Sequence, residues 1–380
     1  MAWTLDAQHV PDLARGAAVL GTGGGGDPHI GALLATQAIA THGPVTVVSA
    51  DELPHDAVVV MVAMMGAPTV MVEKLPSLDE VVAPLRAMEP LLDAPVTHIA
   101  CAEIGGVNST IPVAAAAALG LPLVDADAMG RAFPELQMVL PTLFDVPASP
   151  MAFADEKGNT GVLHTIDNLW AERIARVACV EMGCSVIITL FPQSGAQVRK
   201  TMVLGSLSQA TAVGAAIGQA RAANEDPVAR VVEELRGREL FAGKVVDVER
   251  ATTAGFARGR ARIDGEAGTL GLSFQNEHLM AQLGEEVLVT TPDLIMVLEH
   301  DSGEPITTEA LRYGQRVRVI AAPSDERWHS PAALGMVGPG YFGYSVATHR
   351  FDGSLDPGDP RGAATDTTHL DPTEAVEALR

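Results

Sequence analysis

Aromatic side chains make up only 4% of this 380-residue chain, so its core has to be built from Ala, Val, Leu, Ile and Met. Basic side chains are also in short supply, with 25 Lys and Arg against 47 Asp and Glu, a formal charge of −22. A surface this acidic repels phosphate backbones and anionic membranes. Nucleic acid and membrane are therefore excluded as expected partners, and a small-molecule substrate is the natural alternative. The three cysteines, Cys101, Cys179 and Cys184, have no disulfide-framework spacing, which fits a reducing cytosol. No basic region followed by an apolar stretch is found at the start, and the most apolar run, 57–65, is too short to span a bilayer. The expectation is a soluble cytoplasmic protein. Histidine supplies no H-x-x-x-H or H-E-x-x-H signature, and no repeat of fixed period is visible.

Apolar residues at 47% with only 19% charged indicate a globular chain, long enough for two domains. Strands are predicted at 45–49, 57–65, 96–100 and 122–124, with helices over 78–91 and 110–119. Such alternation implies an α/β layer with a mostly parallel sheet, whose ligands sit at the carboxyl ends of the strands. A helix over 168–185, a strand at 186–190 and a long helix from 208 to 235, broken or kinked at Pro227, follow. From 244 to 322, short β-like runs separated by turn residues predict a smaller β-rich module. The reading is an N-terminal α/β domain over 1–167, a smaller C-terminal domain over 168–348, and a loose acidic tail over 349–380 ending in a short capped helix. The large apolar fraction is compatible with a buried subunit interface, and a homo-oligomer is expected.

Glycine is concentrated at one place. Residues 21–28 read Gly-Thr-Gly-Gly-Gly-Gly-Asp-Pro, with Asp27 suited to cap a helix and Pro28 to begin it. The amides of Gly23, Gly24, Gly25, Gly26 and Asp27 are thus a candidate substrate or anion site. Gly21, Gly23 and Gly26 also satisfy G-x-G-x-x-G, but residues 8–20 read as a helix with Val10, Leu13, Ala17 and Leu20 on one face, where a dinucleotide fingerprint needs a strand. A purely structural turn is the third reading.

Cys101 and Glu103 lie just past an apolar strand, two apart on an extended chain and so on one face, where both can meet a metal ion or a substrate. The plain alternative for Cys101 is a small buried hydrophobe. Asn108 or Ser109 can cap the next helix, and Asn108 is also a candidate catalytic residue. Asp125, Asp127, Arg131 and Glu135 cluster past the following strand. There, carboxylates two apart can coordinate a cation or position a water, and Arg131 can hold a substrate carboxylate bidentately; a surface turn is the alternative. Asn276 and Glu277, at a strand end in the second domain, can reach across a cleft or simply stabilise a turn. If a metal is bound, Cys101 and Asp125 are the candidate ligands, with His164 arriving from a distance.

Taken together, Gly21–Pro28, Met65–Pro68 with Glu73–Lys74, Glu103–Asn108, Asp125–Glu135, Phe274–Glu277, Pro292–Ile295 and Gly338–Tyr344 resemble a family first catalogued as a domain of unknown function. That family is associated with S-methyl thiohydantoin desulfurases. The resemblance runs from about residue 5 to 346. It implies an N-terminal α/β domain, a smaller C-terminal domain, and hydrolytic removal of sulfur from a thiohydantoin ring in ergothioneine-type catabolism, with zinc as cofactor. The chain departs from the pattern at His29, where an aromatic such as Tyr is expected, and in its tail. On this reading a metal-activated water attacks the ring carbon bearing sulfur and expels methanethiol, leaving a hydantoin. Cys101 is the preferred zinc ligand, Glu103 or Asp127 the general base, Arg131 the anchor for the substrate carboxylate, and the Gly21–Gly26 amides the oxyanion donors. A hydantoin or lactam ring-opening amidohydrolase, a nucleotide-binding oxidoreductase and a non-catalytic binding protein are the alternatives.

Overall fold

The computed structural model describes residues 2–66, 70, 76–253 and 256–351. Ala67, Pro68, Glu73 and Lys74 of the motifs above, and the tail from 352 to 380, lie outside the described residues.

Short runs of Val, Ile and Leu become strands here because both of their faces are covered, as a parallel sheet under helices requires. The first layer contains β1 (Trp3–Leu5), α1 (Val10–Leu20), α2 (Pro28–His42), β2 (Val45–Val48), β3 (Val58–Gly66), α3 (Leu78–Met88), β4 (His98–Cys101), α4 (Ile111–Leu119), β5 (Leu123–Asp127), β6 (Met151–Ala154) and β7 (Thr160–Leu163). It continues with α5 (Asn168–Glu181), β8 (Ser185–Ser194), α6 (Gly195–Thr201), β9 (Val203–Leu204), α7 (Ser206–Ala223) and α8 (Pro227–Glu234). The strand order is β1-β2-β5-β4-β3-β8-β6-β7, with β9 pairing β5. β2, β5, β4 and β3 pair in parallel, and the remaining pairings are antiparallel. The α/β layer is as expected, its parallel part confined to the four central strands. Alternate residues of β3 enter opposite cores: Val60 and Val62 face one, Val59, Met61 and Ala63 the other.

Strands β8 and β9, which follow the expected boundary at residue 168, pair into the sheet of the first layer. β8 runs between β3 and β6, because Val186–Phe191 is buried throughout and needs a partner strand on either side. The long helix expected over 208–235 is two helices. Asn224 ends α7 in the left-handed region, and Asp226 caps α8 with Pro227 at its start. Gly16 of α1 is indispensable for helix packing, since a Cβ there would lie 1.7 Å from the Ala210 carbonyl oxygen of α7.

The second domain is a smaller antiparallel sheet of β10 (Arg238–Thr253), β11 (Phe256–Gly265), β12 (Gly268–Gln275), β13 (Glu277–Leu283), β14 (Glu286–Thr290), β15 (Leu294–Glu299) and β16 (Arg316–Ala322), ordered β14-β13-β12-β11-β10-β16-β15. β13 went unread in the sequence because its first five residues are all buried, so it has no polar alternation. A strap holding α9 (Pro331–Val337) returns to the first layer. There Trp328 donates its indole N–H to the Met129 carbonyl at 2.7 Å and packs edge-on against Phe133. The chain then recrosses to the second sheet. The loose tail read from residue 349 begins later than that: His349 pairs with Thr290, and Phe351 is buried in the second core, its amide donating to Asp293 at 2.6 Å.

Candidate functional site

The parallel strands end at one cavity, lined by Ala63, Met64, Met65 and Gly66 at the end of β3, Ala102 and Glu103 after β4, and Met129 after β5. Gly25 and Gly26 form one wall, and Phe133, Pro134, Glu135 and Leu136 another. Val107, Asn108, Val139, Arg176, Ile188, Leu190 and Phe191 complete the first layer's share, while the second sheet contributes Asn276 and Glu277. Binding at the carboxyl edge of a parallel sheet is the general rule for such layers.

Glu103 is buried at the cavity wall, and burial pushes its carboxyl up to about 7, against the Asn108 hydrogen bond and the Phe133 amide. Asn108 donates to Glu103 Oε1 at 2.6 Å, while its own side-chain oxygen accepts the Met64 amide at 2.7 Å. It thereby fixes the acid against the end of β3. Glu277 follows Asn276, which reverses the chain between β12 and β13 at φ 56° and accepts the Ala257 amide at 2.9 Å. Burial, then the charge of Glu103, pushes Glu277 well above the ordinary carboxyl range, and its Oε2 has no hydrogen-bond partner among the described residues. Two carboxyls with separated affinities for a proton therefore share one cavity, a pattern typical of acid–base sites.

The glycine run owes its composition to close packing. A Cβ on Gly24 would lie 2.0 Å from Glu277 Oε1, and one on Gly23 2.9 Å from His278 Nε2. Helix α1, not a strand, leads into the loop, so G-x-G-x-x-G lacks its dinucleotide setting. Asp27 caps α2 as anticipated, accepting the His29 amide at 2.8 Å. Gly25, at φ 79°, approaches Gly105 so closely that a Cβ would stand 2.6 Å from its Cα. Gly25→Ala is expected to lower stability by at least about 2 kcal/mol through this strain and clash. Urea unfolding of the variant measures it, and an unchanged midpoint refutes it.

Several residues named from sequence are placed elsewhere. Asp127 is fully buried and does not line the cavity. Its Oδ2 accepts the amides of Ile104, Met129 and Gly130 at 3.0, 2.9 and 2.7 Å, which holds the loops after β4 and β5 together. Arg131 is likewise fully buried with all five donors engaged: Nε to Ala132 O, Nη1 to the carbonyls of Pro292 and Asp293, and Nη2 to Thr22 Oγ1 and the His278 carbonyl, at 2.8 to 3.1 Å. It pins the glycine loop to the second domain and has no donor left for a substrate carboxylate. Glu135 does reach the cavity, bonded by Gln137 at 2.5 Å and by Tyr341 of the returning strap at 2.7 Å.

The donor set named for zinc does not fit the ion. Cys101 and Glu103 part company because β4 ends at Cys101, so strand alternation no longer governs residue 103. The thiol lies in the apolar core, and burial, with the nearby charges of Asp127, Asp125 and Glu103, pushes its pKa well above the ordinary value. Asp125 accepts both the amide and the hydroxyl of Ser208, at 3.0 and 2.5 Å, and His164 is exposed beyond β7. Among the described residues no group of three His, Cys, Asp or Glu is placed to hold a metal. Arg176, by contrast, was not anticipated. Glu172 and Arg176 stand four apart on α5 and form an i,i+4 ion pair, and Arg176 also lines the cavity.

Fold and site define a two-domain α/β protein with a carboxylate-lined cleft where the β-rich domain meets the parallel strands. Models of the S-Me-THD-like N-terminal and C-terminal domains match residues 8–165 and 166–351, and the chain belongs to this S-methyl thiohydantoin desulfurase-like family. Membership supports a hydrolase- or desulfurase-type function. A crystal structure of a protein from Chromobacterium violaceum has a similar fold, with a TM-score of 0.77 and 23% identity over 92% of this chain and 99% of that one. No curated protein matches the chain. Among the described residues no helix is long and apolar enough to cross a membrane.

Proposed function

We propose that the protein hydrolyses a thiohydantoin or S-methyl thiohydantoin ring, releasing sulfide or methanethiol and leaving a hydantoin. The observation that carries this reading is the Glu103–Glu277 pair, one carboxyl pushed up to about 7 and the other pushed well above the ordinary carboxyl range, in a cavity also lined by Met64, Met65, Phe133, Leu136, Ile188 and Phe191. Ionised Glu103 takes a proton from water as its oxygen bonds to the ring carbon bearing sulfur. Gly25 and Gly26 line the cavity and their amides find no acceptor among the described residues, so we assign them to charge that develops on the ring. Glu277 gives its proton to the departing sulfur as the carbon–sulfur bond breaks, the remaining hydroxyl proton passes to the adjacent ring nitrogen of an S-methyl substrate or to the sulfide of a free thiohydantoin, and the ring carbon is left as a carbonyl; proton exchange with solvent then returns Glu103 to its carboxylate and Glu277 to its acid. The family resemblance implies zinc, but Cys101 lies in the apolar core, Asp125 is bonded to Ser208 and His164 is exposed beyond β7, so none of the roles above is given to the ion.

The test is loss of thiohydantoin ultraviolet absorbance, with thiol release followed in parallel, for S-methyl and free thiohydantoins. Thiol release with kcat/KM rising as Glu103 ionises, through about pH 7, supports the proposal. Ring opening without thiol overturns it in favour of an amidohydrolase, and no turnover of either compound overturns it outright. Repeating the assay with a chelator, then with added zinc, tests the implied cofactor.

A further inference from the structure

Arg176 is the one cationic side chain lining the cavity among the described residues. One edge of its guanidinium is already committed: Nε donates to Glu172 at 2.7 Å and Nη2 to the Pro134 carbonyl at 3.2 Å. Glu172 is itself held by the Leu136 amide at 3.0 Å, and the guanidinium lies over the Phe256 ring, 4.8 Å from its centroid. The head group is thus oriented by both domains before any ligand arrives, while Nη1 engages no described residue. A guanidinium fixed along its Nε edge still offers a planar pair of donors at its Nη end, the geometry that receives a carboxylate.

The cavity's own acids do not account for this cation. Arg131 is the charge that acts on Glu103 and Glu277, and Glu135 is occupied by Gln137 and Tyr341. The other ionisable groups lining the cavity are carboxyls, so an anionic ligand would be repelled without Arg176. Resting on the ring hydrolysis proposed above, we infer that Arg176 is the specificity-determining residue, holding a carboxylate arm of the substrate while the ring carbon meets Glu103 and Glu277.

The test uses a hydantoin bearing a propionate arm and its primary amide, which match in shape and differ in charge. Both are product-like, so calorimetry reads their affinity without turnover. The parent protein is expected to bind the acid roughly ten- to a hundredfold more tightly than the amide, as a charge-assisted hydrogen bond does. In Arg176→Gln that preference collapses, and Arg176→Lys restores part of it. With the S-methyl substrates, Arg176→Gln raises KM for the acid far more than it lowers kcat. Equal binding of acid and amide by the parent, or binding of neither, overturns the inference without recourse to any variant. Tight, acid-selective binding with no sulfur released instead overturns the hydrolase reading and leaves Arg176 as the anion reader of a different site.

Discussion

Glu103→Gln is expected to lose activity by a factor on the order of 10³, as removal of a general base does, while becoming more stable than the parent above pH 7. The activity loss follows from Glu103 being the cavity carboxyl that titrates near neutrality. The stability gain follows from linkage. Its pKa is raised from 4.5 in the unfolded chain to about 7 in the fold, so between those values the folded protein binds more protons than the unfolded one. Stability is then full below pH 4.5 and falls as pH rises towards 7, by about 3 kcal/mol at most. Glutamine has no proton to lose and can still accept the Asn108 hydrogen bond. Urea unfolding should therefore show variant and parent within error at pH 4.5 and the variant ahead at pH 8. A stability gap that is the same at both values, or an active variant, would remove Glu103 from the role assigned to it.

Arg131→Met should be the most destabilising of these substitutions, by about 3 to 5 kcal/mol, the usual cost of breaking a buried charged network by removing one partner. Four carbonyls and the Thr22 hydroxyl lose their donor at once. These acceptors belong to the glycine loop, the turn after β5, strand β13 and the turn between β14 and β15, so the seam between the domains loosens along with the cavity. Arg131→Lys should recover little, because an ammonium cannot span five acceptors laid out for a planar fork. A second readout separates this seam from general instability. Arg131 lowers the proton affinity of Glu103 and Glu277, so any surviving lysine variant that carries its charge elsewhere should show its rate rise at higher pH. A variant with parental unfolding free energy and an unmoved pH profile would refute the assignment.

Much of the site was legible because it is local. Glu103 and Asn108 sit five residues apart in the turn leaving β4, and a polar turn after a buried strand is visible in one dimension. Asn276 and Glu277 were visible for the same reason, at the reversal between β12 and β13. Arg131 was misread because a basic residue beside two aspartates suggests a ligand anchor, whereas its partners at Thr22, His278, Pro292 and Asp293 lie more than a hundred residues away. Arg176 escaped notice for the converse reason, since its nearest partner in sequence makes it look solvated.

Periodicity and capping chemistry suffice to place helices, strands and turns along this chain, because hydrogen-bonding ladders and helix ends obey rules spanning a few residues. They locate the glycine loop, the α/β layer and the β-rich module. Which carboxyl faces the cavity, which is spent on backbone amides, and which arginine is free for a ligand depend on segments that meet only when the two domains close. Burial and long-range hydrogen bonding determine a side chain's proton affinity and its vacant donors, and neither quantity exists until the tertiary contacts form.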